Sequence, residues 1–484
     1  MNGIPAVTAT GAVAARLRRA WQRTSVLIWP EQKGEGSLFV RNVRMTLIVR
    51  GGLIGIGVIT SVMIARLLGP EGRGIYAAAV VLATIASQFG FLGLQTSSTY
   101  YAAREPSLLP ALVSNSLCAS LLGGGTIGTI LALLFWLRPS WAPVSGATLR
   151  AAFLLIPATL GSTLSQNLLL GIKEVKWFNV SEGAGRLFFM ALCWISALLM
   201  GHLKPVHMAL MATLAALLSF ILAAGRLIYV TRRLAWPDVA LFRRQISYGV
   251  RPYLVCVAGY LVLKVDVLMV KYLAGSTATG YYSLASGMTD FLNSIPSVVG
   301  MMLFPVLAGT LDCSLRWNRT KKAMIYLAAI MAAVVVCAGV LAAPLVRAFY
   351  GSAFLPAVPA FLILCCAIGF YAVSTMVSIY FSSSGQPWFT VFLWLAAALL
   401  NIGLNLYLIP GSGIVGAAVA SLITYSALLA AQFAYASANH LKLEARETSR
   451  LNMHVDSQED TAAGFGGNGE CELIAIGSPA PEGE

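Results

Sequence analysis

Seven charged residues stand inside long apolar stretches of this 484-residue chain: Arg50, Glu182, Arg186, Arg251, Lys264, Asp266 and Asp290. A charge at a bilayer centre costs about 2.5–3.5 kcal/mol on insertion scales unless water or a partner compensates it. Each of these residues therefore needs either a partner or a water-filled cavity. Glu182 and Arg186 are four apart, the helical spacing at which a carboxylate and a guanidinium pair along one face, so a structural salt bridge and a binding role both stay open. Lys264 and Asp266 are two apart and point to different faces of a helix, so each must find its partner elsewhere. Arg251 lies near an expected helix end, where a long side chain can snorkel to the interface. Several cations in one membrane cavity suit an anionic ligand, because the guanidinium fork matches phosphate oxygens. A lipid diphosphate is one such ligand. The candidate diphosphate-binding residues are Arg50, Arg186, Arg251 and Lys264.

Polar residues add a second signal. Thr84, Ser87, Gln88, Gln95 and Ser98 fall near helical spacing, and so do Ser283, Ser286, Asp290, Asn293, Ser294 and Ser297. Both stripes could line a shared cavity, and both could serve helix-to-helix hydrogen bonding. Gln88, Gln95, Asp266, Asp290 and Asn293 are the candidates for cavity lining or for coupling to an ion gradient. No metal site is expected: His202, His207, His440 and His454 form no ligand motif, and the eight cysteines lack ligand-like spacing.

The elements that must carry these residues are membrane helices. The chain is 58% hydrophobic and 11% charged, and no water-soluble fold of this length hides so much apolar surface. Apolar runs near the ~20 residues needed to cross a bilayer recur at 43–68, 74–96, 107–137, 148–171, 177–200, 205–230, 246–273, 279–308, 322–343, 356–382, 388–409 and 413–437. The fold class expected is an all-α polytopic membrane protein of about 12 transmembrane helices. With the N-terminus inside, inner segments hold 21 basic residues and outer segments, including Arg66 and Arg73, hold 7, which predicts cytoplasmic N- and C-termini. The net charge of +14 follows from this topology, and no nucleic-acid partner is expected.

The pattern Ala65-Arg66-Leu67-Leu68-Gly69 with Gly74-Ile75-Tyr76-Ala77 returns as Val270-Lys271-Tyr272-Leu273-Ala274 with Gly280-Tyr281-Tyr282-Ser283. This predicts a parallel internal repeat of two six-helix lobes, an arrangement suited to rocking one half against the other. The domains expected are a basic N-terminal segment over 1–40, with an interfacial helix or a disordered tail near 12–29, an N-lobe over 41–231, a C-lobe over 232–438 and a disordered cytoplasmic tail over 439–484. No cleavable signal is expected.

Asn401-Ile402-Gly403-Leu404-Asn405-Leu406-Tyr407-Leu408-Ile409-Pro410, followed by Gly413-Ile414-Val415-Gly416-Ala417-Ala418-Val419-Ala420, resembles a signature of the polysaccharide biosynthesis, or O-antigen-type oligosaccharide, flippases. These belong to the multidrug, oligosaccharidyl-lipid and polysaccharide (MOP) exporter superfamily. Leu68-Gly69-Pro70, Gly90-Phe91-Leu92-Gly93-Leu94, Val265-Asp266-Val267-Leu268-Met269 and Gly385-Gln386-Pro387 extend the resemblance over about residues 40 to 437. The matched positions are mostly turn and apolar residues that report fold. The resemblance implies a non-enzymatic protein of the bacterial inner membrane that flips an undecaprenyl-diphosphate-linked oligosaccharide for O-antigen, capsule or exopolysaccharide synthesis. Its implied partners are that lipid-linked oligosaccharide, membrane lipid and other polysaccharide assembly proteins. No cofactor is implied, although coupling to a Na+ or H+ gradient fits Asp266 or Asp290. Relatives that flip the peptidoglycan precursor carry two more C-terminal spans, which favours the polysaccharide branch. Two rivals remain: a cation-coupled drug or metabolite exporter of the same superfamily, which calls for an acidic cavity, and a membrane enzyme acting on lipid-linked sugars, which calls for a large outer segment or an acidic motif.

Overall fold

The computed structural model describes the backbone of residues 36–464 except 201, 202, 311, 384 and 386, and side chains over 51–438 except those five and Met200. In hydrocarbon every backbone N–H and C=O must be satisfied within its own segment, and the described residues accordingly form helices joined by short turns. The helices are α1 (Gly36–Gly90), α2 (Leu94–Arg104), α3 (Leu109–Cys118), α4 (Gly124–Leu137), α5 (Gly146–Gly171), α6 (Val175–Met200), α7 (Pro205–Thr231), α8 (Val239–Leu292), α9 (Ser294–Ala308), α10 (Cys313–Leu345), α11 (Val358–Ser383) and α12 (Trp388–Gly464). A π-helical turn over Ala119–Gly123 joins α3 to α4. Side chains such as Leu122, Leu198, Tyr407 and Val340, each at least 70% exposed, form the lipid-facing surface that only a membrane protein tolerates.

Nine apolar helical stretches long enough to cross a membrane occur among the described residues. Three of them fold back on themselves, at Gly69, Gly275 and Gly413, where positive φ breaks the helix. Each reversal is shown by a hydrogen bond between its two arms. Arg73 Nη1 donates to the Ser61 carbonyl at 2.8 Å, Tyr282 Oη to Asp266 Oδ2 at 2.5 Å, and Asn401 Nδ2 to Thr424 Oγ1 at 3.4 Å. The twelve expected spans are thereby present as α1a (36–68) and α1b (70–90), α3 with α4, α5, α6, α7, α8a (239–274) and α8b (276–292), α10, α11, α12a (388–412) and α12b (414–464). Two expected continuous runs are broken: Leu92 and Gly93, both at positive φ, end α1b before α2, and a turn at Asn293 separates α8b from α9. Over 439–464, expected as part of a disordered tail, the backbone continues α12 as helix, in keeping with the Leu, Lys, Glu, Ala and Arg there. The expected interfacial helix near 12–29 lies outside the described residues.

The turns at Gly69 (φ 64°, ψ −177°) and Gly275 (φ 85°, ψ −178°) share one geometry, and Gly275 lies one residue beyond Ala274, on which the repeat pattern places Gly69. They meet at one end of the molecule, here called distal. A Cβ on Gly74 would stand 1.8 Å from the Ser276 carbonyl oxygen, and one on Gly280 would stand 1.8 Å from that of Pro70. The two backbones thus approach as closely as only glycine permits. Around them Arg66 of α1a donates to the carbonyls of Ala348 and Phe349 at 2.7 and 2.6 Å, beyond the end of α10, and Tyr272 Oη donates to the Trp141 carbonyl at 2.5 Å.

At the opposite, proximal end α2 meets α8a. Gly93 and Gly249 lie backbone to backbone, and Tyr100 stacks on Tyr248 with ring centroids 4.4 Å apart. Buried Gln245 donates to Ser98 Oγ at 3.0 Å and accepts from Asn115 Nδ2 at 3.3 Å. Arg244 pairs with Glu105 at 3.3 Å, both side chains being exposed. Removing a partner from a buried network costs about 1–3 kcal/mol, whereas an exposed ion pair contributes about 0–1 kcal/mol. Gln245→Leu should therefore lower the melting midpoint in detergent clearly more than Arg244→Ala; the reverse order would show that surface charge holds this seam.

Candidate interlobe binding cavity

Between the two sets of helices lies a cavity of about 450 Å³, within the range of small-molecule sites. Its walls come from α1a (Thr60, Ser61), α1b (Arg73, Tyr76, Thr84), α6 (Arg186, Phe189), α8a (Tyr260, Lys264) and α8b (Ser283, Ser286, Asp290). The reversals at Gly69 and Gly275 create this wall, because each folds two arms of one helix side by side. Lys264 Nζ pairs with Asp290 Oδ2 at 2.5 Å and lies 3.5 Å from Ser286 Oγ. Lys264 is largely covered, whereas Asp290 is about half exposed to the cavity. Arg186 Nη2 pairs with Glu182 Oε1 at 2.7 Å. Glu182 and Arg186 also line a smaller cleft among α5, α6 and α7, which joins the cavity at Arg186 and Phe189. Among the described residues the site thus holds three cations, Arg73, Arg186 and Lys264, and two carboxylates, Glu182 and Asp290. It suits an anion that can exchange with carboxylates already present.

The polysaccharide biosynthesis protein family matches residues 39–311, more than half of the chain. The chain belongs to this family. Among curated relatives, the succinoglycan biosynthesis transport protein ExoT of Rhizobium meliloti (strain 1021) is 24% identical over 273 residues, 55% of this chain and 53% of ExoT. The chain therefore spans about half the length of that relative. In fold it is similar to an inward-facing multidrug resistance MATE family transporter of the MOP superfamily, with TM-score 0.65 and 15% identity over 82% of this chain and 98% of the other. It is also similar to the lipid II flippase MurJ in an inward closed conformation, with TM-score 0.62 and 15% identity over 82% and 90% of the two chains. The fold is that of the MOP superfamily, and the protein is a multi-pass membrane protein.

The candidate residues do not all converge. Arg186, Lys264 and Asp290 line the cavity. Arg251 instead lies over the Trp388 ring, 5.0 Å from its centroid, near the start of α12. Gln88, Gln95 and Asn293 are half-buried and lie proximal to the cavity without lining it. The Arg50 side chain lies outside the described residues. Of the two polar stripes, Thr84, Ser283 and Ser286 face the cavity, while Ser87 is buried against the Ile156 carbonyl at 3.3 Å. Ser98 is taken up by Gln245.

Asp266 is buried in the second half, away from the cavity. Its carboxylate accepts from Tyr282 Oη at 2.5 Å, Ser421 Oγ at 3.3 Å and the Val267 amide at 2.8 Å. Thr424, one turn from Ser421 on α12b, meets Asn401, and Asn405 donates to the Asn401 side chain at 2.9 Å. Asn405 Oδ1 is buried with no hydrogen-bond donor among the described residues. Sequence reasoning passed over Tyr282, Asn401, Asn405, Ser421 and Thr424 as site members, since α8b, α12a and α12b meet only in three dimensions. It also counted Arg73 as an ordinary outer-loop cation. The structure puts Arg73 on the cavity wall, 7% exposed, and its place next to Gly74 in the repeat pattern was the available signal.

Proposed function

We propose that this protein flips an undecaprenyl-diphosphate-linked oligosaccharide across the bacterial inner membrane by alternating access, supplying O-antigen, capsule or exopolysaccharide assembly. The observation that carries this reading is the interlobe cavity, with cations contributed from both halves of the chain. The excess of basic residues in alternate loops puts both termini in the cytoplasm, so the distal end faces outward and the cavity sealed there takes its cargo from the cytoplasmic leaflet. Phosphate oxygens replace Asp290 on Lys264 and Glu182 on Arg186, and these carboxylates reclaim their cations when the head group leaves. Binding and release are then both shallow, as transport requires. Thr84, Ser283 and Ser286 offer hydroxyls to the sugars, and the polyprenyl tail stays in lipid between the lobes. Other assembly proteins take up the product.

Coupling to a Na+ or H+ gradient falls to Asp266, whose carboxylate sits with Tyr282 and Ser421 where α8a, α8b and α12b converge. A cation or proton there changes how these arms pack. Asp266→Asn is expected to leave binding of a lipid diphosphate to purified protein within about twofold while removing gradient-stimulated flipping in proteoliposomes. Stimulation that persists in the variant would move coupling elsewhere.

The reading is tested by deleting the gene and following undecaprenyl-diphosphate-linked oligosaccharide on the inner leaflet together with surface polymer. Accumulation with loss of polymer, reversed by the intact gene, is the expected result. Unchanged lipid-linked sugar with new sensitivity to cationic drugs would favour the exporter of the same superfamily, although three cations against two carboxylates among the described residues suit a cationic cargo poorly. Unchanged transport with altered sugar composition would favour the membrane enzyme.

A further inference from the structure

We propose that Arg73 is the uncommitted anion-binding residue of the cavity, holding phosphate oxygens at its distal end while Lys264 and Arg186 hold theirs nearer the middle. The proposal rests on the diphosphate reading of the cavity and assigns one residue within it.

Three observations carry it. First, the other two cavity cations are already neutralised, Lys264 by Asp290 and Arg186 by Glu182, whereas no ion pair among the described residues includes Arg73. A buried charge left unpaired is strongly unfavourable, and its nearest acidic neighbour in sequence, Glu71, is exposed. Second, Arg73 is held in place without being neutralised. Nη1 donates to the Ser61 carbonyl at 2.8 Å and Nη2 to Ser61 Oγ at 3.2 Å, while Nε is buried with no acceptor. A guanidinium fixed only by neutral oxygens keeps its full charge for an anionic acceptor. Third, the facing half meets it with backbone alone. Nη2 stands 3.7 Å from where a Cβ on Gly287 would lie, an ordinary contact distance, and both residues line the cavity, so the Arg73 guanidinium borders the cavity where α1b meets α8b. An anion there would contact both halves of the chain at once, next to the Gly74 and Gly280 closure that must part for outward release.

The test uses full-length protein in nanodiscs of zwitterionic lipid, titrated calorimetrically with inorganic pyrophosphate and with geranyl diphosphate. Arg73→Gln is expected to weaken both at least tenfold, with Arg73→Lys intermediate. Gly287→Asp, which leaves Arg73 intact and gives it an internal carboxylate, is expected to weaken them as strongly. Melting midpoints near wild type show that the variants are folded, and Gly287→Asp keeps the test independent of any structural role of Arg73. Wild-type affinity in both Arg73→Gln and Gly287→Asp would overturn the assignment of Arg73 and leave the diphosphate reading standing. Absence of binding by the wild-type protein would overturn both. Loss of pyrophosphate and geranyl diphosphate binding in phosphatidylglycerol nanodiscs would identify bulk lipid phosphate as the ligand and overturn the cargo assignment.

Discussion

If the protein is the flippase proposed above, Gly74→Ala and Gly280→Ala are each expected to lower flipping by about 10- to 100-fold while the protein still inserts and folds. A new Cβ would fall 1.8 Å from a backbone carbonyl oxygen of the facing lobe, and a backbone atom, unlike a side-chain tip, cannot swing aside. Overpacking of this kind costs about 1–3 kcal/mol, and each ~1.4 kcal/mol is a factor of ten in an equilibrium. The cost falls only on the state in which the distal ends touch, so each variant depletes that state and leaves the opposite state untouched. A cysteine replacing Ser283, on the cavity wall, reports the shift in a background cleared of native cysteines. Its labelling by a membrane-impermeant maleimide from the distal side should rise by about the same factor as transport falls. Gly225→Ala and Gly339→Ala meet nothing within 4 Å and serve as controls that should behave as wild type. Equal effects at all four glycines would mean that helix propensity, not closure of the lobes, is being measured.

On the proposed diphosphate reading of the cavity, Lys264→Gln is expected to lower flipping by about 30- to 100-fold, Asp290→Asn by no more than about fivefold, and the double variant less than Lys264→Gln alone. A hydrogen bond to a charged group is worth about 1.5–3 kcal/mol, which sets the first figure for a head group that loses its lysine. The lone Asp290 carboxylate left by Lys264→Gln also repels phosphate, and its removal in the double variant relieves that repulsion. Asp290→Asn instead frees Lys264, which strengthens cargo binding and slows release. The readout is lipid-linked oligosaccharide accumulating in cells carrying each variant, normalised to membrane protein level. Equal losses from both single variants, restored in the double, would make the pair a structural strut with no part in binding.

Much of this molecule was legible in one dimension, and the exceptions share a cause. The apolar runs, their charged borders and the glycine turns were readable because a membrane helix obeys local rules: about 20 apolar residues, backbone bonds closed within the segment, and breaks at glycines, which adopt positive φ at no steric cost. The Glu182–Arg186 contact at 2.7 Å is local too, since four residues is one helical turn. Lys264 shows where local reasoning ends. The spacing said only that Asp266 could not be its partner; the partner is Asp290, 26 residues on and brought back by the turn at Gly275. Asp266 goes the other way, to Tyr282 and to Ser421, 155 residues distant.

The sequence by itself therefore determined that this is an all-helical membrane protein, which residues carry costly charge, and, through ordered turn motifs, the family to which the chain belongs. Only the tertiary structure decided which charges share a cavity. It separated Arg186, Lys264 and Asp290 from Arg251 on Trp388, and it moved Arg73 from a loop to the cavity wall. The physical reason is that insertion energies depend on a residue's depth in the membrane, which sequence encodes segment by segment. Which way a side chain faces depends on how twelve such segments pack, and that follows from long-range contacts such as glycine against carbonyl at Gly74 and Gly280.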